Sequence, residues 1–267
     1  MSETPLILLT LIALKAGAKI MDIYKAGFSV DTKSDASPVT EADGAAEAII
    51  LAELAKLAPE IPVVAEEAVS KGEVPETDKV FYLVDPLDGT REFISRNGEF
   101  TVNIALIEEG APVAGVVYAP ALGEIFWGAQ GKGAFRATVQ AGVIGTQQAI
   151  RVRQAPTAVT AIGSRSHGSE ETSAWLRQYV VNDFVAAGSS LKFCRVAEGT
   201  ADLYPRHGRT MEWDTAAGDA VLRAAGGLVT TLDGQPLTYG KRARADATDF
   251  ANPYFIAYGD TGLKKIS

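Results

Sequence analysis

The most informative segment of this 267-residue chain reads Val80-Phe81-Tyr82-Leu83-Val84-Asp85-Pro86-Leu87-Asp88-Gly89-Thr90. Its first five residues form a short apolar, β-branched and aromatic run, which predicts a strand that carries Asp85 to an edge of a sheet. Pro86 fixes a backbone bend, and Asp88-Gly89-Thr90 predicts the cap and first turn of a short helix whose free amides can hold an anion. Two carboxylates three residues apart beside such a helix indicate hard divalent cations and a phosphate bound together.

The same residues also have a simpler interpretation. Asp-Gly is a common turn signal, so Pro-Leu-Asp-Gly between two apolar runs is also compatible with an ordinary loop. Short motifs of this kind often occur without function. The rest of the chain must therefore decide between a site and a turn.

Composition narrows the classes of function. A net charge of -8 without an evident basic patch argues against nucleic acid as the main partner, although metal ions would let an acidic protein bind phosphate. The single cysteine, Cys194, excludes an internal disulfide, and its apolar helical surroundings are typical of a packing thiol rather than a nucleophile. The presence of only two histidines nearly excludes a zinc site built from several Cys and His ligands.

The apolar run at residues 6–14 has some features of a signal peptide. However, the acidic Glu3 precedes it, and the charged residues Lys15, Lys19 and Asp22 follow at helical spacing. This pattern predicts an amphipathic helix of a cytoplasmic protein. Because eighteen apolar residues never follow one another, stable insertion into a membrane is not expected.

In the first half, helices and strands alternate, and acidic residues follow two of the strands. A strand at 61–65 runs into Glu66-Glu67, as the strand of the central segment runs into Asp85, although solvated charge would also explain these glutamates. Asp43 falls in the first turn of a predicted helix, where complementing the helix dipole is the simpler role. The predicted helices cover 4–27 and 40–57, a polar loop or short hairpin covers 31–40, and further strands cover 100–107, 111–118, 123–129 and 133–137.

A change of composition between Val139 and Pro156 predicts a boundary between two lobes, residues 1–150 and 151–267. In the second lobe Asp214 is a third acidic group near a helix start. Alternation of helices and strands without repeats places the chain in the mixed α/β class. The elements predicted there are strands at 158–163 and 202–205 and helices at 169–180, 191–198 and 212–226.

Four motifs together resemble one superfamily. They are Ser37-Pro38-Val39-Thr40-Glu41-Ala42-Asp43, Glu66-Glu67, Asp85-Pro86-Leu87-Asp88-Gly89-Thr90 and Trp213-Asp214-Thr215-Ala216-Ala217-Gly218. In this order they are similar to the lithium-sensitive, magnesium-dependent phosphatases that include inositol monophosphatase and fructose bisphosphatase. The resemblance implies an αβαβα sandwich with two lobes. One small departure is Ala65, where many relatives have glycine.

Three further stretches resemble the CysQ branch of this superfamily, the 3'(2'),5'-bisphosphate nucleotidases. They are 163–167, 188–194 and 203–206. This resemblance implies hydrolysis of the 3'-phosphate of adenosine 3',5'-bisphosphate to AMP and phosphate, which clears a by-product of sulfate activation and sulfotransfer.

The resemblance also implies the roles of individual residues. Two or three Mg²⁺ ions are expected on the carboxylates and on the main-chain carbonyl of Leu87, an oxygen-only ligand set that suits this metal. Thr90 and Asp43 are expected to act as a pair that accepts a proton from the attacking water. The amides of Gly89 and Thr90 are expected to hold the phosphate. The implied carboxylate ligands are Glu66, Asp85, Asp88 and Asp214, of which Glu66 also belongs to the implied catalytic set.

The second lobe is expected to contact the rest of a nucleotide bisphosphate substrate. Three cations are candidates for the 5'-phosphate, and four polar or aromatic side chains are candidates for the ribose or adenine. For each of them a surface charge or a helix cap is an equally simple explanation. The cations are Arg165, Lys192 and Arg206, and the other side chains are Ser164, Ser166, His167 and Tyr204.

Three alternatives stay open at this point. The same metal chemistry would serve inositol monophosphate or fructose 1,6-bisphosphate, because the metal site contacts only the phosphate. An aspartyl-phosphate hydrolase would need two aspartates one residue apart, whereas Asp85 and Asp88 are three apart. A non-catalytic phosphate-binding regulator would be expected to lack one of the carboxylates, and none is missing. Both a monomer and a homodimer are compatible with the sequence.

Overall fold

The structure is a computed structural model that describes residues 3–32, 38–164 and 170–266. Four residues discussed above, Ser37, Arg165, Ser166 and His167, therefore lie outside the described residues. Within the described residues, no helix is both long enough and apolar enough to cross a membrane.

The first half of the chain forms a large, mostly antiparallel sheet flanked by helices. Strands pair in the order β10-β8-β7-β6-β5-β4-β3, β9 pairs with β8, and only β3 and β4 run parallel. Residues in this half form α1 (Glu3–Ala26), β1 (Val30–Thr32), β2 (Pro38–Thr40), α2 (Glu41–Leu57), β3 (Val63–Ala65), α3 (Glu66–Ser70), β4 (Val80–Asp88), α4 (Thr90–Ile94), β5 (Thr101–Glu108), β6 (Ala111–Ala119), β7 (Glu124–Ala129), β8 (Gly133–Gln140), β9 (Val143–Ile144) and β10 (Gln148–Ile150).

The second half forms a smaller mixed sheet in the order β12-β11-β13-β15-β14. Strand β11 runs parallel to both of its neighbours, and β15 runs antiparallel to its own. Residues here form β11 (Val159–Gly163), α5 (Glu170–Leu176), β12 (Val181–Ala186), α6 (Leu191–Ala197), β13 (Leu203–Arg206), α7 (Ala216–Ala224), β14 (Leu228–Thr231) and β15 (Phe255–Tyr258).

Alternating side chains on the strands build the layers. On β4, Tyr82 and Val84 join the core formed with α1 and α2, whereas Phe81 and Leu83 join the core formed with α6 and α7. The second sheet packs on the other side of α6 and α7 and packs α5 on its far face. Because successive side chains on a strand point to opposite faces, each sheet is covered on both sides. The order helix, sheet, helix, sheet, helix confirms the predicted αβαβα sandwich.

Helix α7 lies close to the first sheet because glycines face it. A Cβ added at Gly115 would come within 2.6 Å of the Ala217 carbonyl oxygen, and one at Gly128 within 2.8 Å of the Ala224 Cβ. This approach fixes where α7 begins, and with it the position of Asp214. Since α7 of the second half packs on the sheet of the first, the division into lobes at residue 150 stays a prediction.

Most predicted elements are confirmed, with four differences. Strand β4 continues to Asp88, because a register shift against β5 between Asp85 and Asp88 accommodates Pro86. Helix α5 ends at Leu176, and residues 177–179 continue with i to i+3 hydrogen bonds. Helix α7 starts only at Ala216, after a turn over 211–215. The sequence analysis missed strands β9, β10, β12, β14 and β15 and the short helix α3.

Candidate active site

The acidic residues that follow the first two parallel strands lie at the same edge of the sheet. Ala65 at the end of β3 pairs with Val84 in β4, so Glu66 and Asp85 are the next residues on neighbouring strands. The carboxyl group of Asp85 is buried, and its Oδ1 accepts a hydrogen bond of 3.0 Å from the Leu87 amide. Its position thus follows from strand pairing and from the bend at Pro86.

The turn after β4 differs from the predicted cap. Asp88 is the last residue of the strand, and Gly89 is the N-cap of α4 with no side-chain cap, so the prediction of an Asp88 cap is wrong. Gly89 has φ of +92°, and a Cβ there would lie 3.3 Å from a carboxylate oxygen of Glu92. A left-handed backbone in this narrow space favours glycine. The carboxylate of Asp88 is therefore not used as a cap and lines a cleft instead.

Asp214 reaches the same cleft from the second half of the chain. It lies in the turn before α7, where its Oδ2 accepts a hydrogen bond of 2.8 Å from the Met211 amide. The neighbouring Glu212 is fully buried and accepts the amides of Gly240 and Lys241. These bonds hold the turn rigidly and leave Asp214 beside the carboxylates of the first sheet.

The carboxylates of the cleft repel one another. Burial, followed by the negative charges of neighbouring carboxylates, raises the pKa of Asp85 and of Asp214 well above the usual value. A hydrogen bond between the carboxyl groups of Asp85 and Glu66 acts in the same direction. Burial also raises the pKa of Asp88, against the opposing charge of Lys192 and a hydrogen bond from Asn103.

This arrangement fits hard divalent cations. Buried carboxylates without enough positive charge are costly, and their donor atoms are all oxygen, which Mg²⁺ prefers. In the part of the chain that the structure describes, no three acidic, histidine or cysteine side chains converge into a ready-made metal cage. The carboxylates interact with one another through charge and, for Asp85 and Glu66, through a hydrogen bond.

Asp43 and Thr90 form the predicted pair. Asp43 Oδ2 accepts hydrogen bonds of 2.8 Å from both the amide and the hydroxyl of Thr40, which completes a capping box at the start of α2. Asp43 Oδ1 lies 3.4 Å from the Thr90 hydroxyl, which donates to it. Burial raises the pKa of Asp43 to about 6. The helix-cap role and the contact with Thr90 therefore coexist in one side chain.

One cleft, with a volume of about 210 Å³, brings most of the predicted residues together. Asp85, Leu87 and Asp43 do not line it and are buried. Some lining residues were not predicted, although Arg91 and Glu92 directly follow the central motif and Ser189 belongs to a quoted stretch. The predicted lining residues are Glu66, Asp88, Gly89, Thr90, Ser164, Lys192, Tyr204, Arg206 and Asp214; the others are Pro38, Arg91, Glu92, Ser189, Phe193, Thr210 and Thr215.

Two of the cations that line the cleft, Lys192 and Arg206, differ in their surroundings. The Lys192 ammonium is buried, donates to the Ser189 carbonyl at 2.6 Å and lies 5.3 Å from the centre of the Tyr204 ring. Burial lowers its pKa to about 8. Arg206 donates from Nη2 to the Arg209 carbonyl at 3.3 Å, whereas its buried Nε has no hydrogen-bond partner among the described residues. The guanidinium of Arg206 lines the cleft, and a guanidinium suits an anion such as a phosphate.

Comparison with known proteins identifies the family to which the chain belongs. The model of the inositol monophosphatase family matches residues 3–257, and the chain belongs to this family.

Within this family, the chain is similar to curated proteins that share one name. The chain is 47% identical to the 3'(2'),5'-bisphosphate nucleotidase CysQ of Shigella flexneri over 91% of this chain and 95% of the relative. It is 46% identical to the protein of that name from Escherichia coli K12, with the same shares covered. Among solved structures, CysQ from Bacteroides thetaiotaomicron matches with a TM-score of 0.78 and 38% identity over 96% of this chain and 97% of that one.

Proposed function

We propose that this protein is a magnesium-dependent 3'(2'),5'-bisphosphate nucleotidase that converts adenosine 3',5'-bisphosphate to AMP and phosphate. One observation carries the proposal. Mutually repelling carboxylates from both halves of the chain line or adjoin a cleft that also holds cationic side chains. The names of the similar curated proteins support the choice of substrate.

Each half of the cleft has its own task in this proposal. Glu66, Asp85, Asp88 and Asp214, with the Leu87 carbonyl, would hold two or three Mg²⁺ ions. Bound Mg²⁺ would neutralise these carboxylates and act as a Lewis acid toward the transferred phosphoryl group. The amides of Gly89 and Thr90 would orient that group. No covalent enzyme intermediate is needed, because water attacks the phosphorus directly.

Proton transfer falls to Thr90 and Asp43. The Thr90 hydroxyl donates toward Asp43 at 3.4 Å, so it can accept a proton from the attacking water as it passes its own to the carboxylate. With a pKa of about 6, Asp43 is largely ionised at neutral pH and can receive that proton. The long distance is compatible with this role, because catalytic hydrogen bonds often shorten only when substrate is bound.

The second half of the chain would bind the remainder of the nucleotide. Arg206 is the best placed of the described candidates for the 5'-phosphate, because it lines the cleft and is partly exposed, whereas Lys192 is buried and bonded to backbone carbonyls. Lys192 is held below the cleft by backbone carbonyls and lies near Asp88, so we expect it to act on charge balance as well as on substrate. Ser164 and Tyr204 line the cleft near these groups, and Arg165, Ser166 and His167 remain candidates.

The proposal is tested by phosphate release from adenosine 3',5'-bisphosphate and inositol 1-phosphate, measured side by side. With Mg²⁺ we expect a higher kcat/KM for the nucleotide, and with EDTA no turnover of either. Preference for the inositol ester would overturn the proposed substrate but would leave the proposed metal chemistry intact. Full activity in EDTA would overturn the proposed dependence on a metal ion. A role in sulfur metabolism, a cytoplasmic location and a monomeric or homodimeric state stay predictions.

A further inference from the structure

A chain of hydrogen bonds connects the two halves of the carboxylate cluster beneath the cleft. The side-chain amide of Asn103, on β5, donates to Asp88 Oδ2 at 3.3 Å and to the Ser190 hydroxyl oxygen at 2.9 Å. Ser190 in turn donates to the main-chain carbonyl of Asp214 at 2.8 Å. Asn103 and Ser190 are each 1% exposed, so solvent does not compete for these bonds.

Two further hydroxyls, of Thr101 and Ser189, lie beside the Asn103 amide, and that of Thr101 fixes its orientation. Thr101, fully buried two residues earlier on β5, donates to Asn103 Oδ1 at 2.9 Å. The Thr101 oxygen also lies 3.1 Å from the Ser189 hydroxyl. With its oxygen occupied by Thr101, the amide must present its NH₂ group to Asp88 and Ser190. Both amide hydrogens and the carbonyl oxygen of the Asn103 side chain therefore have a hydrogen-bond partner.

Strand register explains how Asn103 reaches this position. Asn103 pairs with Asp85 across β4 and β5, and Thr101 pairs with Asp88 after the register shift. The shift brings Asp88 over the side of β5 on which Thr101 and Asn103 point, two residues apart. A buried polar network of this kind, in an otherwise apolar strand, is stable only when its members are satisfied.

We propose that Asn103, with Thr101 and Ser190, is a positioning residue that couples Asp88 to Asp214 and so sets the affinity of the cleft for divalent cations. This inference rests on the proposed function, because it concerns the carboxylates assigned there to Mg²⁺. One amide proton on Oδ2 restricts rotation of the Asp88 carboxylate and leaves its other oxygen directed elsewhere. The bond through Ser190 holds the turn that carries Asp214 at a fixed place relative to Asp88.

The proposal predicts weaker metal binding with little change in nucleotide binding. Outer partners of metal ligands typically change metal affinity by about 10- to 100-fold when they are removed. For Asn103→Leu, which keeps the volume but loses the hydrogen bonds, we expect the Kd for Mg²⁺ to rise by about 10-fold or more. At saturating Mg²⁺, KM for adenosine 3',5'-bisphosphate should stay within about 2-fold of the wild type.

The direct measurement is calorimetric titration of the substrate-free protein with Mg²⁺. Ile104→Val, a change in the next residue of β5 on the apolar face, is the matched control for a loss of packing alone. Its Kd for Mg²⁺ should equal that of the wild type. A Kd for Asn103→Leu equal to that of the wild type would overturn the positioning role of Asn103, and so would an equal rise of the Kd in Ile104→Val.

A second pair of variants keeps the test decisive even if Asn103→Leu fails to fold. Thr101→Val removes the hydroxyl at nearly constant volume, and Thr101→Ser keeps it. We expect weaker Mg²⁺ binding in the valine variant and near wild-type binding in the serine variant; equal affinities in both would overturn the proposal. Absence of Mg²⁺ binding in the wild type would instead contradict the proposed function itself, and with it the positioning role of Asn103.

Discussion

The two sides of the cleft are built in opposite ways. On one side, carboxylates at strand ends and at the turn before α7 are wholly or partly buried and repel one another, so their pKa values are raised. On the other side, Lys192 and Arg206 belong to elements of the second sheet and its neighbouring helix. The acidic side gains from any bound cation, whereas the basic side gains from a bound anion. A phosphate ester with a second phosphate would satisfy both.

The difference also separates what is shared from what is specific. In the proposed function, the carboxylates that hold metal act on one phosphoryl group and do not contact the rest of the substrate. Selectivity must come from the opposite side, where the Arg206 guanidinium lines the cleft and the Lys192 ammonium is held by the backbone. We therefore expect changes on the acidic side to affect all substrates and changes on the basic side to affect only nucleotides.

The largest effect is expected from Asp85→Asn. Outer partners alone cost about 10- to 100-fold, so loss of a direct ligand should lower kcat/KM by at least ~100-fold for every substrate. The fold should survive in EDTA with an equal or higher Tm, because one of the repelling buried charges is removed. Asp183→Asn, at an exposed position on β12, is the control and should behave as the wild type. Near-normal turnover would contradict the metal assignment.

A smaller loss is expected from Thr90→Val. General acid-base groups typically contribute about 100- to 10,000-fold, and we expect the lower end here, about 100-fold in kcat. Thr90→Ser keeps the hydroxyl and should retain most of the activity. Steady-state kinetics at saturating Mg²⁺ measures both. Equal kcat values in the valine and serine variants would remove Thr90 from proton transfer.

Arg206→Met should distinguish the two sides of the cleft. Loss of one charged contact should raise KM for adenosine 3',5'-bisphosphate about 10-fold, equivalent to about 1.4 kcal/mol. Hydrolysis of a simple phosphomonoester should be unchanged. Arg209→Met, in the exposed loop that follows β13, provides a control of the same charge. Equal losses on both substrates would show that Arg206 does not read the nucleotide.

The smallest effect concerns the support of the acidic side. Glu47 on α2 accepts the Glu67 amide at 2.8 Å and so caps α3, the helix that starts with Glu66. Burial raises the pKa of Glu47 from 4.5 to about 7, so the folded state binds this proton more tightly than the unfolded state. The resulting stability is fully present below pH 4.5 and is lost as the pH rises through about 7.

Glu47→Gln keeps an acceptor for the Glu67 amide but cannot titrate. Between pH 5 and pH 8 the wild type should therefore lose on the order of 1 kcal/mol of stability relative to this variant. Thermal unfolding of both proteins across that range measures the difference. A constant difference in stability would show that Glu47 titrates in the folded state as it does in the unfolded state.

Local patterns could predict the acidic side but not its details. Glu66 and Asp85 each directly follow a buried apolar strand, and such residues meet when the strands pair in parallel, whereas the role of Glu66 as a metal ligand follows only from the resemblance of the four motifs. The Asp88 cap was wrong because the backbone of Gly89, at φ of +92°, takes the cap position. Turn conformation of this kind depends on surroundings that a single motif does not contain.

The positioning residues could not be predicted because they depend on register. Asn103 lies in a strand that was predicted correctly, but its proximity to Asp88 arises from the register shift between β4 and β5. Likewise, the orientation of Lys192 toward backbone carbonyls depends on how the loop before α6 folds. Sequence pattern thus gave the strands and their acidic ends, and tertiary pairing decided which polar side chains meet.

The most direct test of the division between the two sides is kcat/KM for adenosine 3',5'-bisphosphate against 3'-AMP, both at saturating Mg²⁺. The two substrates share the ester that is cleaved and differ only in the 5'-phosphate. We predict a preference of about 10-fold or more for the bisphosphate, equivalent to one charged contact, and its loss in Arg206→Met. Equal kcat/KM values for the two substrates in the wild type would contradict the account.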